Sequence, residues 1–143
     1  MAAGNQHHLE FGGSHVTTEF DGSLQFSAID RIPYLSVSQS FSPKTARQIR
    51  YLLVATVGPE RPFYHRYQYV VLDVRMIGAW EPGSGEFVTQ LRERLQNLGG
   101  ELFLVATTSV PVSAGVPKFT TAEAAVQAAK ELRATRRRAA LSA

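Results

Sequence analysis

Six residues hold the densest chemistry in this chain: Trp80, Glu81, Gly83, Ser84, Gly85 and Glu86, within the stretch AWEPGSGE. A serine among glycines at a helix start suits phosphate, either as a ligand or as a covalent modification, because open amides and the helix dipole favour negative charge there. Glu81 and the earlier Asp73 are carboxylates of the kind acid–base chemistry uses. Ser84 also has the residue type of a nucleophile, which demands a neighbouring base and an orienting acid.

Each of these chemistries asks for more than the stretch itself. A nucleotide cradle is represented only by Gly83-Ser84-Gly85, with neither GxxxxGK[ST] nor GxGxxG present, so a small-ligand or nucleotide-binding module using Gly83 to Gly85 stands as the alternative reading. A hydrolase elbow reads GxSxG, but Pro82 stands two before Ser84 and no histidine follows His65, so the usual order of the triad cannot be met. No second group is evident to work with Glu81, and Asp73 reads more simply as an acceptor for amides of the following loop. The chain has no cysteine, which removes disulfides, thiolate metal sites and cysteine nucleophiles. His7-His8 has no third ligand type nearby. The segment Glu60 to Gln68, ERPFYHRYQ, interleaves arginine with aromatics that could stack on bases, but it reads first as a connecting loop. No catalytic, cofactor or metal residue is therefore assigned. A regulatory binding surface remains, centred on Ile77 to Glu86 and the helix that follows.

The elements that must position this surface can be read from periodicity. Val70, Val71, Leu72 and Val74 form a near-continuous apolar strand ending near Asp73, and a loop from Arg75 to Gly85 follows. Phe87, Val88, Leu91, Leu95 and Leu98 then recur at helical spacing, with Glu86, Arg92, Glu93, Arg94 and Gln96 on the water face and Gly99-Gly100 as the stop. Leu102 to Ala106 is the next strand. This is a βαβ unit, whose strands are parallel and whose function belongs at the carboxyl end of the first strand.

Before it, His15 to Phe20 and Leu24 to Ile29 read as a hairpin about Asp21-Gly22, and Tyr34 to Ser40 as a third strand after an Ile32-Pro33 bend. Ser42-Pro43 opens a helix to about Val57, with Ala46, Ile49, Leu52, Leu53 and Val57 inward and Lys44, Arg47, Gln48 and Arg50 outward. After it, prolines 111 and 117 exclude a long helix, and Val110 to Val112 could pair briefly. Thr120 and Glu123 then have capping-box spacing before an alanine-rich helix docked through Ala125, Val126, Ala129 and Leu132.

The 143 residues, 44% of them hydrophobic, suit one domain over residues 15 to 135, with a flexible segment at 1–14 and a basic flexible tail at 136–143. The net charge of +3 owes much to RATRRR at 133–138, which reads as a solvated helix end, so neither nucleic acid nor an acidic lipid surface is an expected partner. No apolar run reaches the roughly 20 residues of a membrane span, and the polar start lacks the pattern of a signal peptide, which implies a cytoplasmic protein.

VVLDV, the short loop, EPGSGEFVTQLRERLQNLGGELFLVAT and the closing KFTTAEAAVQAAKEL together resemble a STAS domain, the fold of bacterial anti-sigma-factor antagonists. The resemblance implies a single-domain α/β mixed sheet with an antiparallel N-terminal hairpin and helices over the parallel strands. It also implies a non-enzymatic regulatory role and a protein partner such as an anti-sigma factor or a regulatory kinase. Counting back from Gly99-Gly100, the family's Asp-Ser-Ser-Gly falls on Glu81, Pro82, Gly83 and Ser84, so the phosphoacceptor position holds Gly83. Ser84 is the possible phosphorylation site if the loop shifts by one residue. The stretch from Thr107 to Phe119 is too short and proline-rich for the short helix and strand that the family fits there.

Overall fold

The computed structural model describes residues 17–20, 24–57, 69–112 and 115–142. The expected N-terminal segment, the Asp21-Gly22 turn, the Glu60 to Gln68 loop and the inward side chains of Leu53 and Val57 lie outside the described positions.

Along the chain run β1 (Thr17–Phe20), β2 (Leu24–Ile29), β3 (Ile32–Phe41), α1 (Pro43–Val57), β4 (Tyr69–Trp80), α2 (Ser84–Asn97), β5 (Glu101–Val105), β6 (Lys118–Phe119) and α3 (Ala122–Ser142). The strands form one sheet in sequence order, antiparallel from β1 to β3 and parallel from β3 to β6. This is the mixed sheet with an antiparallel hairpin edge that the patterning implied. The interior strands β4 and β5 are covered on both faces, which is why their sequences are almost unbroken apolar runs. One face packs Val70, Leu72, Leu102 and Leu104 against Ile49 of α1 and Val88, Leu91 and Leu95 of α2. The other packs Val71, Phe103 and Val105 against Ala125, Val126 and Ala129 of α3.

Several expected boundaries move. Ile32-Pro33 is not a bend: both residues belong to β3, opposite Ile29 and Ala28, and the reversal is the two-residue turn Asp30-Arg31 at φ 52° and 65°. Pro33 is tolerated because β3 begins to pair with β4 only at Tyr34, so no partner on that side needs its missing amide. The helix cap of α3 is Thr121, whose Oγ1 accepts from the Ala124 amide at 3.2 Å, one residue later than the Thr120 spacing suggested. At α1, Ser42 and Thr45 cap each other, each side chain accepting from the other's amide at 3.2–3.3 Å. Val110 and Val112 join no strand; the Val112 amide donates to the Val110 carbonyl instead. α3 continues to Ser142, past the expected boundary at residue 135, and Arg136 donates to the carbonyls of Gly99 and Gly100.

The change that matters for function is in β4. It does not stop near Asp73 but runs for 12 residues to Trp80, pairing Met76, Ile77, Ala79 and Trp80 with Ser38, Gln39, Ser40 and Phe41. The strand outruns β5, whose pairing ends at Asp73 and Val105, and its register against β3 shifts twice in that overhang. Ile77 to Trp80 therefore belong to the sheet. The connection expected to span Arg75 to Gly85 is only Glu81 to Gly83.

Candidate functional site

Glu81-Pro82-Gly83-Ser84 is a tight turn closed by the Ser84 amide donating to the Glu81 carbonyl at 3.2 Å. Proline at its second position and Gly83 at φ 88°, ψ −9° fit a type II turn, which needs a left-handed third residue. Gly83 precedes α2 as its cap residue, and the Phe87 amide donates to its carbonyl at 3.1 Å. Nothing lies near the space a side chain at Gly83 would take, so its backbone angle alone selects glycine.

Gly85 is a glycine for another reason. A Cβ there would stand 1.8 Å from the Pro111 carbonyl oxygen, so the chain after β5 lies directly on the first turn of α2. Sequence reasoning grouped Gly83 and Gly85 as a phosphate-cradle fragment; one serves turn geometry, the other close backbone approach.

Ser84 is buried, 4% exposed, and its hydroxyl donates to the Phe41 carbonyl at 2.9 Å. The same carbonyl accepts the Glu81 amide at 2.9 Å. Phe41 thus ties the end of β3 to both sides of the β4–α2 turn. Its ring stacks on Trp80 with centroids 5.1 Å apart and 10° between planes, and meets Phe87 at 5.9 Å. Trp80 is half-buried in this aromatic group, with Arg50 of α1 over the Phe87 ring at 5.4 Å. Glu81, Pro82, Gly83 and Glu86 are exposed around it.

The structure therefore gathers all six singled-out residues at one corner but gives them different surroundings. Beside the corner, a groove of about 380 Å³ separates the first turns of α1 and α2, lined by Arg47 and Arg50 on one side and Gly83, Ser84 and Glu86 on the other. It continues past Arg50, Phe87 and Gln90 toward Arg94. Phe41, Arg47 and Arg50 were not singled out. Arg47 and Arg50 carry an i, i+3 spacing that reads equally well as a solvated face, and Phe41 lay just past the expected end of its strand.

Asp73 is buried on the opposite face of the sheet. Its carboxylate accepts the Arg75 amide at 3.0 Å, the Arg75 guanidinium at 2.7 Å and the Tyr34 hydroxyl. Burial pushes this carboxyl up, but the bonds from Arg75 and Tyr34 outweigh it and hold the group below its ordinary range. Burial, then the Asp73 carboxylate, push the Tyr34 phenol above its ordinary value. This is a saturated cluster that fixes the strand where β4 leaves β5. Arg92, expected on the water face, instead forms a two-pronged ion pair with buried Glu101 at 2.8 and 3.2 Å, locking α2 to β5. Among the described residues no group of three histidines, cysteines or carboxylates could hold a metal.

No protein-family model matches the chain, and no curated protein does. Solved structures do. SpoIIAA, an anti-sigma factor antagonist in its unphosphorylated form, superposes with a TM-score of 0.60 at 13% identity, over 78% of this chain and 98% of its own. The fold is STAS-like. An anti-sigma factor antagonist from Mycobacterium paratuberculosis superposes at 0.57 with 17% identity, over 76% and 93%. At such identities the likeness establishes architecture, and the resemblance read from VVLDV and the Gly-Gly stop holds at that level.

Proposed function

We propose that this chain is a non-enzymatic regulatory module of the cytoplasm that binds a protein partner, an anti-sigma factor or a related regulatory kinase. Its contact surface is the corner made by the β4–α2 turn and the first turns of α2. The observation that carries this reading is the exposed arc of Glu81, Pro82, Gly83 and Glu86 around a half-buried Trp80 backed by Phe41. The arc is held by a hydrogen-bonded turn and presents the carboxylates of Glu81 and Glu86 about an aromatic anchor, which is the anatomy of a binding hot spot. Both neighbours reported above are anti-sigma factor antagonists, and no described helix is long and apolar enough to cross a membrane.

Phosphorylation of Ser84 belongs to the same reading. A kinase must first draw the hydroxyl out of its bond with Phe41, so modification would loosen the turn as well as add nearly two negative charges. A pull-down from source cells compares the wild type with Trp80→Ala and Glu86→Arg; loss of one and the same partner from both variants is expected. Retention of every partner by both sinks the assignment of this corner.

The groove itself favours a second reading, a small anionic ligand held between Arg47, Arg50 and the Gly83 turn. Thermal unfolding with a nucleotide panel decides it, since a ligand at a hundred times its Kd stabilises by about 2.7 kcal/mol.

A further inference from the structure

The β2–β3 turn and α3 meet on the sheet face turned away from α1 and α2, and their seam gathers cations. Lys130 donates to Asp30 at 3.0 Å, which pins the turn to the helix and neutralises the turn's carboxylate. Arg31 follows directly, and both it and Arg137 lie within electrostatic reach of Arg133. From residue 133 to 142, α3 carries four arginines and no acid.

Two features of the seam run against folding. Arg31 sits at φ 65° in the second position of a two-residue hairpin turn, where the left-handed backbone favours glycine. Arg133 is half-buried, and burial together with Arg137 and Arg31 pushes its guanidinium below its ordinary value, with Tyr69 and Asp30 acting the other way. Among the described residues Arg31, Arg133 and Arg137 make no ion pair that would offset this. Arg136 is different, being committed to the Gly99 and Gly100 carbonyls and the Tyr69 ring.

The chemistry of the seam narrows what it meets. Guanidinium groups pair with the oxygens of phosphates and carboxylates, so the complement is a polyanion, of which a phosphate-bearing surface is the extended form. The grooves described above lie on the other face, and at the seam Arg31 and Arg137 are exposed, which suits an extended surface. Among the described residues, those exposed at the seam include no aromatic for bases to stack on, which disfavours single-stranded nucleic acid. Farther along α3, Leu141 is 87% exposed, an apolar tip beside cations. We infer that the seam of Arg31, Arg133 and Arg137, with Leu141 at the end of the same helix, is a docking surface for an anionic lipid bilayer.

The association is reversible and salt-sensitive, since an arginine near an anionic surface contributes about a fivefold gain in affinity. It is independent of the partner-binding corner, which lies across the sheet. Co-sedimentation of the full chain with phosphatidylcholine vesicles, and with vesicles mixed with phosphatidylglycerol, tests it. The wild type is expected to pellet only with the anionic vesicles at low salt and to be released at about 0.5 M salt. The triple variant Arg31→Gly, Arg133→Gln, Arg137→Gln is expected to bind about a hundredfold more weakly. Arg31→Gly alone gives the turn its preferred residue, so it folds and still binds about fivefold more weakly. Leu141→Ser weakens vesicle binding while leaving heparin binding unchanged. Failure of the wild type to bind anionic vesicles, equal binding by the arginine variants, indifference to Leu141→Ser, or preference for an oligonucleotide over vesicles each overturns the inference.

Discussion

The hydroxyl of Ser84 donates to the carbonyl of Phe41 at 2.9 Å, across 43 positions of sequence. It links the start of α2 to the last residue of β3, and the Glu81 amide shares the same acceptor. Ser84→Ala leaves that carbonyl with one partner and is expected to cost about 1 kcal/mol. Ser84→Asp places a carboxylate against a carbonyl in a buried site and is expected to cost about 2 kcal/mol or more. Urea unfolding measures both. Equal stability of the aspartate variant would mean that the side chain reaches water, and the account of Ser84 as a buried tie would be wrong.

Gly83 and Gly85 are two residues apart, yet their substitutions are expected to fail differently. Alanine at Gly83 meets no atom but must hold φ 88°, a strain of about 1–2 kcal/mol. Alanine at Gly85 keeps an ordinary helical backbone but collides with the Pro111 carbonyl, so the Val110 to Val112 segment must move off α2 at a cost of about 1–3 kcal/mol. Amide exchange separates the two: faster exchange at Val112 is expected from Gly85→Ala and not from Gly83→Ala.

The βαβ core was legible because β4, α2 and β5 each keep one period, and the Gly99-Gly100 stop is unambiguous. The far half of β4 was not. RMIGAW neither alternates nor runs apolar, because two register shifts against β3 change which side chains face inward and β5 is no longer there to bury the other edge. Turn chemistry misled at Ile32-Pro33 because the reversal uses Asp30 and Arg31, a pair that lacks the glycine such turns advertise. At the site, residue types were legible and environments were not. The burial of Ser84, the stacking of Trp80 on Phe41 and the pairing of Arg92 with Glu101 all depend on partners from other elements, which periodicity cannot supply.

Stability is expected to fall at both ends of the pH scale for identifiable reasons. Asp73 and Glu101 are pushed up by burial, but each is held below its ordinary value by an arginine and other donors. A carboxyl depressed in the folded state stabilises fully above its unfolded value, 3.8 for Asp73 and 4.5 for Glu101, and loses that contribution as pH falls through the lower folded value. Tyr34 is raised above its ordinary 10.0 by burial and then by Asp73, so its contribution is complete below pH 10.0 and is lost as pH rises beyond it. Denaturant midpoints measured across pH should show both limbs. Asp73→Asn is expected to flatten the acid limb and Tyr34→Phe the alkaline one; limbs unchanged in slope would assign the losses to other groups.

Arg136 and Arg137 are neighbours on α3 with opposite expected effects. The Arg136 guanidinium donates to the carbonyls of Gly99 at 2.6 Å and Gly100 at 2.9 Å and lies 5.7 Å from the centre of the Tyr69 ring. It thus holds the two glycines that link α2 to β5, near the carbonyl end of α2 where a cation suits the dipole, and fastens the last turns of α3 to the sheet. Arg136→Ala is expected to cost about 1–2 kcal/mol. Arg136→Lys recovers only part of this, since one ammonium reproduces neither the fork nor the ring contact. Arg137 instead opposes Arg133. Arg137→Ala is therefore expected to be neutral or stabilising within about 0.5 kcal/mol. Chemical denaturation of the three variants checks the contrast, and comparable losses for Arg136→Ala and Arg137→Ala would show that the end of α3 is not fastened through Arg136.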